Sequence, residues 1–394
     1  MSFYDPYSDE ALENPQPLYA RLRAETPVLY LEEYDAWFLA RFEDIWQATQ
    51  SPTLSVAGGI TPSNLLLGHP PNTRMPSQMD PPRHTEIRRL VGPRFRPSAA
   101  SALEASARAI ARELLDSLLP GGRFDAARDF AGPLASRIAC RLTGLPEAEA
   151  PRFRTWIDGF FHRSPDRRGE TEKAARAGAD FETFVSGWVR DARRHPDDCS
   201  GLAHTLLTEA AGAAPLDDDH VTQALINFLI AASDTFPKAL SATLHRLWQH
   251  PDERRRLAAD SSLVVEAFNE AVRLDTPTQF QGRTLLGDYQ IGDHALREGQ
   301  KVCFLFPSAN RDEGEFPAAD AYRVERRPPR TLGFGNGIHL CLGMHVARME
   351  ARVALETLLP AVGDYEVDES ACRRARTEYV QGWLRLPIEF EATP

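Results

Sequence analysis

Lysine is almost missing from this chain. Lys173, Lys238 and Lys301 are the only three in 394 residues, so nearly all the positive charge is arginine. That bias reflects composition more than mechanism, and other shortages exclude more. No run of about 18 apolar residues occurs, which leaves no candidate for a membrane anchor or secretory signal. The five cysteines, Cys140, Cys199, Cys303, Cys341 and Cys372, show no paired spacing. They read as reduced thiols, with no disulfide framework and no zinc pattern. A net charge of −11 argues against nucleic acid as a partner. What remains, 42% hydrophobic and 26% charged, is the composition of a soluble globular protein of one large domain or two ordinary ones.

The organisation reads as mainly helical with a small β subdomain, one structural unit over residues 1–394. Two short β-like runs, Val28 to Leu31 and Ala36 to Leu39, flank a turn, and Phe42 to Thr49 then reads as a short helix. From Ala99 to about Ala210 the pattern is helical, broken at Pro120-Gly121-Gly122 and around Ser164-Pro165-Asp166. Strand signals return at Arg283 to Leu286, Tyr289 to Ile291 and Val302 to Phe306, and again from Tyr379 to Phe390. The longest helix, Asp218 to about Gln249, would span on the order of 48 Å. It is apolar on most sides, as a buried helix is.

The most specific stretch is Phe334-Gly335-Asn336-Gly337-Ile338-His339-Leu340-Cys341-Leu342-Gly343. It sets one cysteine on a Gly-rich turn at the mouth of a helix from Gly343 to Leu359, with Pro360 expected to end it. Unpaired N–H groups and the positive end of the dipole favour thiolate there. Gly335 and Gly337 let the backbone fold tightly against something flat. Phe334 can pack beneath such a group, and His339 can donate to an anion beside it. This Phe-Gly-x-Gly-x-His-x-Cys-x-Gly pattern resembles the haem-binding loop of the cytochrome P450 family. The resemblance implies haem b with Cys341 as the axial thiolate, which pushes electron density towards O–O cleavage. It also implies O2 as co-substrate and a fold with one long central helix over the haem.

Other residues match the family in order, from Trp37 to Leu386. Glu270 and Arg273 lie three apart on one helix face and resemble the family's buried structural pair, with Arg323 or Arg326 as third partner. Asp80-Pro81-Pro82 reads as a helix start with Asp80 as the capping acceptor. His84 and Arg88 follow on one face and resemble the pair that binds a haem propionate; Arg283 resembles the arginine on the haem carboxylates. With His339 these give four donors for two carboxylates. In the long helix, Ala231-Ala232-Ser233-Asp234-Thr235 resembles the oxygen-activating stretch, with Asp234 and Thr235 as the acid–alcohol pair that delivers protons. Two departures stand out. Ala232 replaces the usual glycine and narrows the groove; Phe236-Pro237 follows the alcohol, and Pro237 can supply a local kink.

The resemblance implies a cytoplasmic, bacterial-type monooxygenase that inserts one oxygen atom into a small to medium apolar substrate such as a terpenoid, steroid or aromatic compound. Substrate contacts carried over are Leu66, Asn227, Ile230, Ala231, Thr278, Phe280 and Trp383. No flavin or iron–sulfur domain is fused, so electrons would come from NAD(P)H through a ferredoxin reductase and a ferredoxin. Arg326, Arg327, Arg330, Arg348 and Arg352 would offer that acidic partner a basic face. The alternatives keep the fold and change the reaction to oxidative coupling, desaturation or peroxide-driven oxidation; Asp234-Thr235 argues against the peroxide route. A haem-binding sensor without turnover is the remoter reading.

Overall fold

The computed structural model describes residues 3–164, 167–211 and 214–391, so Pro165 and Asp166 of the expected chain break lie outside the described residues. Helices dominate, as the hydrophobic periodicity predicts. The helix Asp218–Gln249 is one unbroken rod and packs against Gly132–Thr143, Glu172–Ala192 and Val264–Leu274. Asp217 starts it, its carboxylate accepting from the His220 N–H at 2.8 Å. Most of its sides are buried, which is why its sequence is apolar nearly all round. Pro237 sits inside it without ending it. Proline offers no N–H to the Ser233 carbonyl, and the Ser233 hydroxyl is also buried without a partner.

Five short strands form the largest sheet, in the order Val28–Leu31, Ala36–Leu39, Lys301–Phe304, Gln281–Leu285, Leu54–Ser55. All neighbours are antiparallel except Lys301–Phe304 on Ala36–Leu39, where Val302 pairs Trp37. A second sheet joins Tyr365–Val367, Pro387–Phe390 and Arg123–Asp125, tying the C-terminal region to the middle of the chain.

Two expected boundaries are corrected. Pro360 does not stop the cysteine-loop helix, which runs Met344–Val362 and ends at Gly363 with φ 59°. Proline in the last turn forfeits one backbone bond where the ladder is already ending. Asp80 does not cap the helix Arg83–Val91, whose N-cap is Pro82. Its carboxylate instead accepts from the Ser55 hydroxyl and, at 3.0 Å, from the Val56 N–H. Asp80 therefore anchors a strand where a helix cap was expected.

Glu270 and Arg273 pack as the spacing implies. The guanidinium is bidentate on Glu270 at 2.8 Å for both bonds. Arg326 supplies the third member, its Nε donating to Glu270 at 2.8 Å, while Arg323 contributes only its backbone N–H at 3.2 Å. Arg273 also donates to the carbonyls of Asn310 and Ala319, at 2.6 and 2.8 Å. This buried knot fixes the segment that leads into the cysteine loop.

Candidate active site

The cysteine loop is closed by its own backbone, the Cys341 N–H donating to the Phe334 carbonyl at 2.9 Å. Gly335 and Gly337 stand at φ 70° and 72°, where side chains are strained. Gly337 is required twice over, since a Cβ there would lie 2.2 Å from the Thr49 carbonyl oxygen. Asn336 donates to the Trp46 carbonyl at 3.3 Å and the Thr49 hydroxyl at 3.2 Å, pinning the loop to the helix Phe42–Ala48. Phe334 lies under the Arg348 guanidinium, 5.2 Å from it.

Cys341 is exposed. Its sulfur nevertheless lies deep enough among protein atoms for desolvation to raise the thiol pKa. The N–H groups of Gly343 and Met344 and the cations Arg88 and Arg348 pull the other way without prevailing. The expected preference for thiolate is thus present as a set of donors and outweighed by burial. A coordinated cation reverses that balance, because a thiol bound to a metal is deprotonated outright.

Beside the sulfur four donors converge. His84 and His339 stand ring to ring, 4.2 Å between centroids. Arg88 donates to the Leu340 carbonyl and so holds the helix Arg83–Val91 to the loop. Arg283 is buried, with Nη1 donating to the Gly282 carbonyl at 2.7 Å. Burial pushes the Arg283 pKa down to about 10. Burial, then Arg283, His84 and Arg88, push His339 down to about 2. Among the described residues none of the four is in an ion pair, and His84 Nδ1 is buried with no partner. Two guanidiniums and two imidazoles that burial keeps towards neutral, with only Asp80 acting on His84 and Arg283 from the acidic side, form a donor set that two carboxylates of a ligand would satisfy. The haem fits this donor set: a sulfur with N–H groups aimed at it, a glycine turn open above Gly335, and a cationic cluster alongside.

On the long helix Asn227, Ile230, Ala231 and Thr235 form a stripe that keeps exposed surface, at helical spacing. The Thr235 hydroxyl donates to the Ala231 carbonyl at 2.8 Å. Asp234, one residue away and turned about 100° around the axis, is buried and paired with Lys238 on the next turn. A half-buried phenol, Tyr379, feels both Asp234 and Arg283, so Asp234 and the arginine–histidine cluster share one neighbourhood.

Comparison with known proteins decides what this arrangement belongs to. Residues 171–362 match the family model described as "Cytochrome P450". The putative cytochrome P450 123 of Mycobacterium tuberculosis is 33% identical over 392 residues, covering 98% of this chain and 97% of that protein. The chain belongs to the cytochrome P450 family. The vitamin D(3) 25-hydroxylase of Pseudonocardia autotrophica is 31% identical over 397 residues, covering 98% of this chain and 96% of that protein. The crystal structure of the myxobacterial cytochrome P450 CYP267B1 with myristic acid is 27% identical, has a TM-score of 0.88 and covers 100% of both chains. The protein is a cytochrome P450 monooxygenase, with haem b as cofactor and O2 as co-substrate. No helix among the described residues is long and apolar enough to cross a membrane.

Several expected substrate contacts pack against other parts of this cytochrome P450. Phe280 is only 1% exposed and packs edge-on against Phe38 at 5.7 Å, inside the N-terminal aromatic cluster. Hydrophobic burial there outweighs any role as pocket wall. Trp383 packs at a tilt against His245, 4.7 Å between ring centroids, more than two turns beyond Thr235 along the long helix. Leu66 is partly buried against the same N-terminal cluster, and Thr278 pairs with Val380 across a β-bridge. Asn227 accepts from the Ser77 N–H at 3.3 Å, joining the stripe to the segment before the helix Arg83–Val91. Ala232 packs on the main core, so its methyl is directed into packing, and the exposed alanine is Ala231.

The expected basic face is largely neutralised. Arg326 is spent on Glu270; Arg327 pairs with Glu266 at 3.0 Å, Arg330 with Glu315 at 2.7 Å and Arg352 with Glu104 at 2.5 Å. Sequence reasoning missed Lys238 as the partner of Asp234. The signal was there: a lysine four residues after an aspartate on a buried helix.

Proposed function

We propose that this cytochrome P450 hydroxylates a small to medium apolar organic molecule, of terpenoid, steroid or aromatic type, with electrons from NAD(P)H through a ferredoxin reductase and a ferredoxin. In this reading residues 1–394 work as one domain in the cytoplasm. The observation that carries the site assignment is the cluster of two arginines and two histidines, in no ion pair among the described residues, beside Cys341. Cys341 would ligate the haem iron, with the Gly343 and Met344 N–H groups damping the basicity of the sulfur. His84, Arg88, Arg283 and His339 would hold the two propionates. Phe334, Gly335 and Gly343 would shape the turn against the ring. Haem, when bound, supplies the activation of O2 and the oxidation of the C–H bond.

The chain's own residues have three tasks. The stripe Asn227, Ile230, Ala231 and Thr235 orients substrate, offering apolar surface with one amide and one hydroxyl. Thr235 donates a hydrogen bond to the developing negative charge once it releases the Ala231 carbonyl. Asp234 supplies protons, its carboxyl group standing one residue from the hydroxyl. The apolar stripe and the relatives named above, a vitamin D(3) 25-hydroxylase and a myristic acid complex, support a lipid-like substrate. Partner docking rests on Ile338 and Leu340, 55% and 36% exposed on the cysteine loop. Arg89, next in sequence to the Arg88 that holds the Leu340 carbonyl, is exposed and outside any ion pair among the described residues.

Spin-state titration against a panel of steroids, fatty acids, terpenes and carboxylate-free aromatics tests the substrate class. A high-spin shift confined to apolar molecules, followed by NADH-driven hydroxylation with a ferredoxin pair, is the expected result. Shifts only with polar or charged compounds would contradict it.

A further inference from the structure

The helix Gln16–Glu25, the end of the long helix and the C-terminal hairpin meet around a cleft of about 140 Å³. It lies apart from the cysteine loop, since neither Cys341 nor the arginine–histidine cluster lines it. Three arginines from separate segments do: Arg246 of the long helix, Arg311, and Arg374 of the hairpin. Asp275 faces them. It accepts both prongs of Arg246, at 2.7 and 2.8 Å, and lies 3.5 Å from Arg311 Nη2. Arg311 Nη1 donates at 2.7 Å to Asp320, whose carboxylate is largely in solvent. Arg374 lies over the Trp383 ring, 4.7 Å from it, and is in no ion pair among the described residues. Three guanidiniums thus share two carboxylates.

That excess is more than a solvated surface charge. Arg374 is exposed at the mouth, yet burial around its guanidinium lowers its pKa; Arg246 and Arg311 add to the shift, and Asp275 is the one acid opposing it. Burial lowers Arg311 as well, against Asp275 and Asp320. A separate observation comes from the wall built by the N-terminal segment. Gln16 lines the cleft, and its Oε1 is buried without a partner. A buried acceptor left alone is costly and calls for a donor. The helix Gln16–Glu25 also starts there with no side chain capping it, so its positive end adds to the field.

We infer that this cleft binds a protonated phosphate group, free or as a small monoester. Arg311 Nη2 and the Arg374 guanidinium, which have no hydrogen-bond acceptor among the described residues, donate to its oxygens. Its P–O–H donates to Gln16 Oε1. Sulfate and ionised carboxylates offer the same acceptors but no proton, so they leave Gln16 unsatisfied. The space is well below the roughly 300 Å³ at which pockets for organic ligands begin. An ester carbon would therefore stay at the mouth, beside Arg374. Bound there, the anion joins the N-terminal helix and the long helix to the hairpin that carries Trp383.

Binding is measured on the haem-loaded protein by equilibrium dialysis of radiolabelled inorganic phosphate and by thermal melts, with sulfate at equal ionic strength as comparator. Phosphate is expected to bind saturably, with a rise in Tm that follows saturation, and sulfate several-fold more weakly. Arg374→Gln should weaken phosphate binding by about tenfold or more, since it removes a charged donor. Gln16→Leu should bring phosphate and sulfate level while leaving the arginines in place. Glycerol 3-phosphate separates the two sources: tighter binding than inorganic phosphate supports a monoester, weaker binding supports the free ion. A stabilisation that grows without saturating, or that persists unchanged in Arg374→Gln, is an effect of ionic strength and overturns the site. Sulfate binding as tightly as phosphate in the parent overturns the assignment to a protonated group.

Discussion

Two buried guanidiniums converge on the single carboxylate of Glu270, at 2.8 Å each, and a backbone N–H joins them. Removing that carboxylate leaves two charges without compensation in the interior. Glu270→Ala should therefore destabilise the protein by about 3–5 kcal/mol, read by denaturant unfolding of the haem-loaded form. A loss under about 1 kcal/mol would mean that the arginines find other partners. The glycines of the cysteine loop allow a finer test at the same scale. Both have positive φ, yet only Gly337 would drive a Cβ into a backbone carbonyl. Gly335→Ala should cost roughly 1–2 kcal/mol, the price of the left-handed conformation alone. Gly337→Ala should cost more and lower haem retention, measured as the ratio of haem to protein absorbance after gel filtration. Equal effects would show that the contact with Thr49 does not matter.

Among the elements, the long helix does two jobs at two heights. Near its middle it presents the Thr235 stripe, and near its end it docks the C-terminal hairpin through His245. That imidazole sits between Trp248, at 5.5 Å, and Trp383, at 4.7 Å. Burial, reinforced by Arg246 and opposed by Asp275, pushes its pKa down to about 4. The folded state therefore prefers the neutral ring. The associated stability is complete above about pH 6.5 and is lost as pH falls towards 4, at most roughly 3 kcal/mol. His245→Phe keeps the aromatic packing and removes the titration, so the variant should lose less stability than the parent between pH 6.5 and 4. Parallel losses in thermal melts would contradict the assignment. Elements with a long periodic signal were legible in the sequence, Asp218–Gln249 to the residue. Val28–Leu31 and Ala36–Leu39 were legible through short alternating runs. Arg123–Asp125 was not, because three residues carry no periodicity and their partner Pro387–Phe390 is remote in the chain. Nor was the continuation of Met344–Val362 through Pro360, where proline in a final turn costs little.

At the scale of the whole molecule, local chemistry was more readable than long-range placement. The loop around Cys341 and the Glu270–Arg273 pair are encoded by fixed spacing within single segments, while the third partner, Arg326, comes from further along the chain. The packing of Phe280 and Trp383 was not legible, because only tertiary structure shows that one joins the aromatic cluster around Phe38 and the other the end of the long helix. The arginine face failed for the same reason, since the carboxylates that neutralise it come from distant segments such as Glu104 and Glu315. Among the described residues, Arg348 over Phe334 and the exposed Arg89 beside Arg88 stay outside ion pairs near the two exposed apolar side chains, against a net charge of −11. Reduction by a ferredoxin should accordingly slow with rising salt, and Arg89→Glu should slow it several-fold at low ionic strength. Stopped-flow reduction rates that ignore both would remove the docking patch. The central claim is that Cys341 gives its thiolate to haem iron beside a cluster built for two carboxylates. The most direct measurement is the visible spectrum of the dithionite-reduced protein with carbon monoxide, for the parent and Cys341→Ser. A strongly red-shifted Soret band that the substitution abolishes is the predicted result. A histidine-like band in the parent, or a red-shifted band that survives in Cys341→Ser, would contradict it.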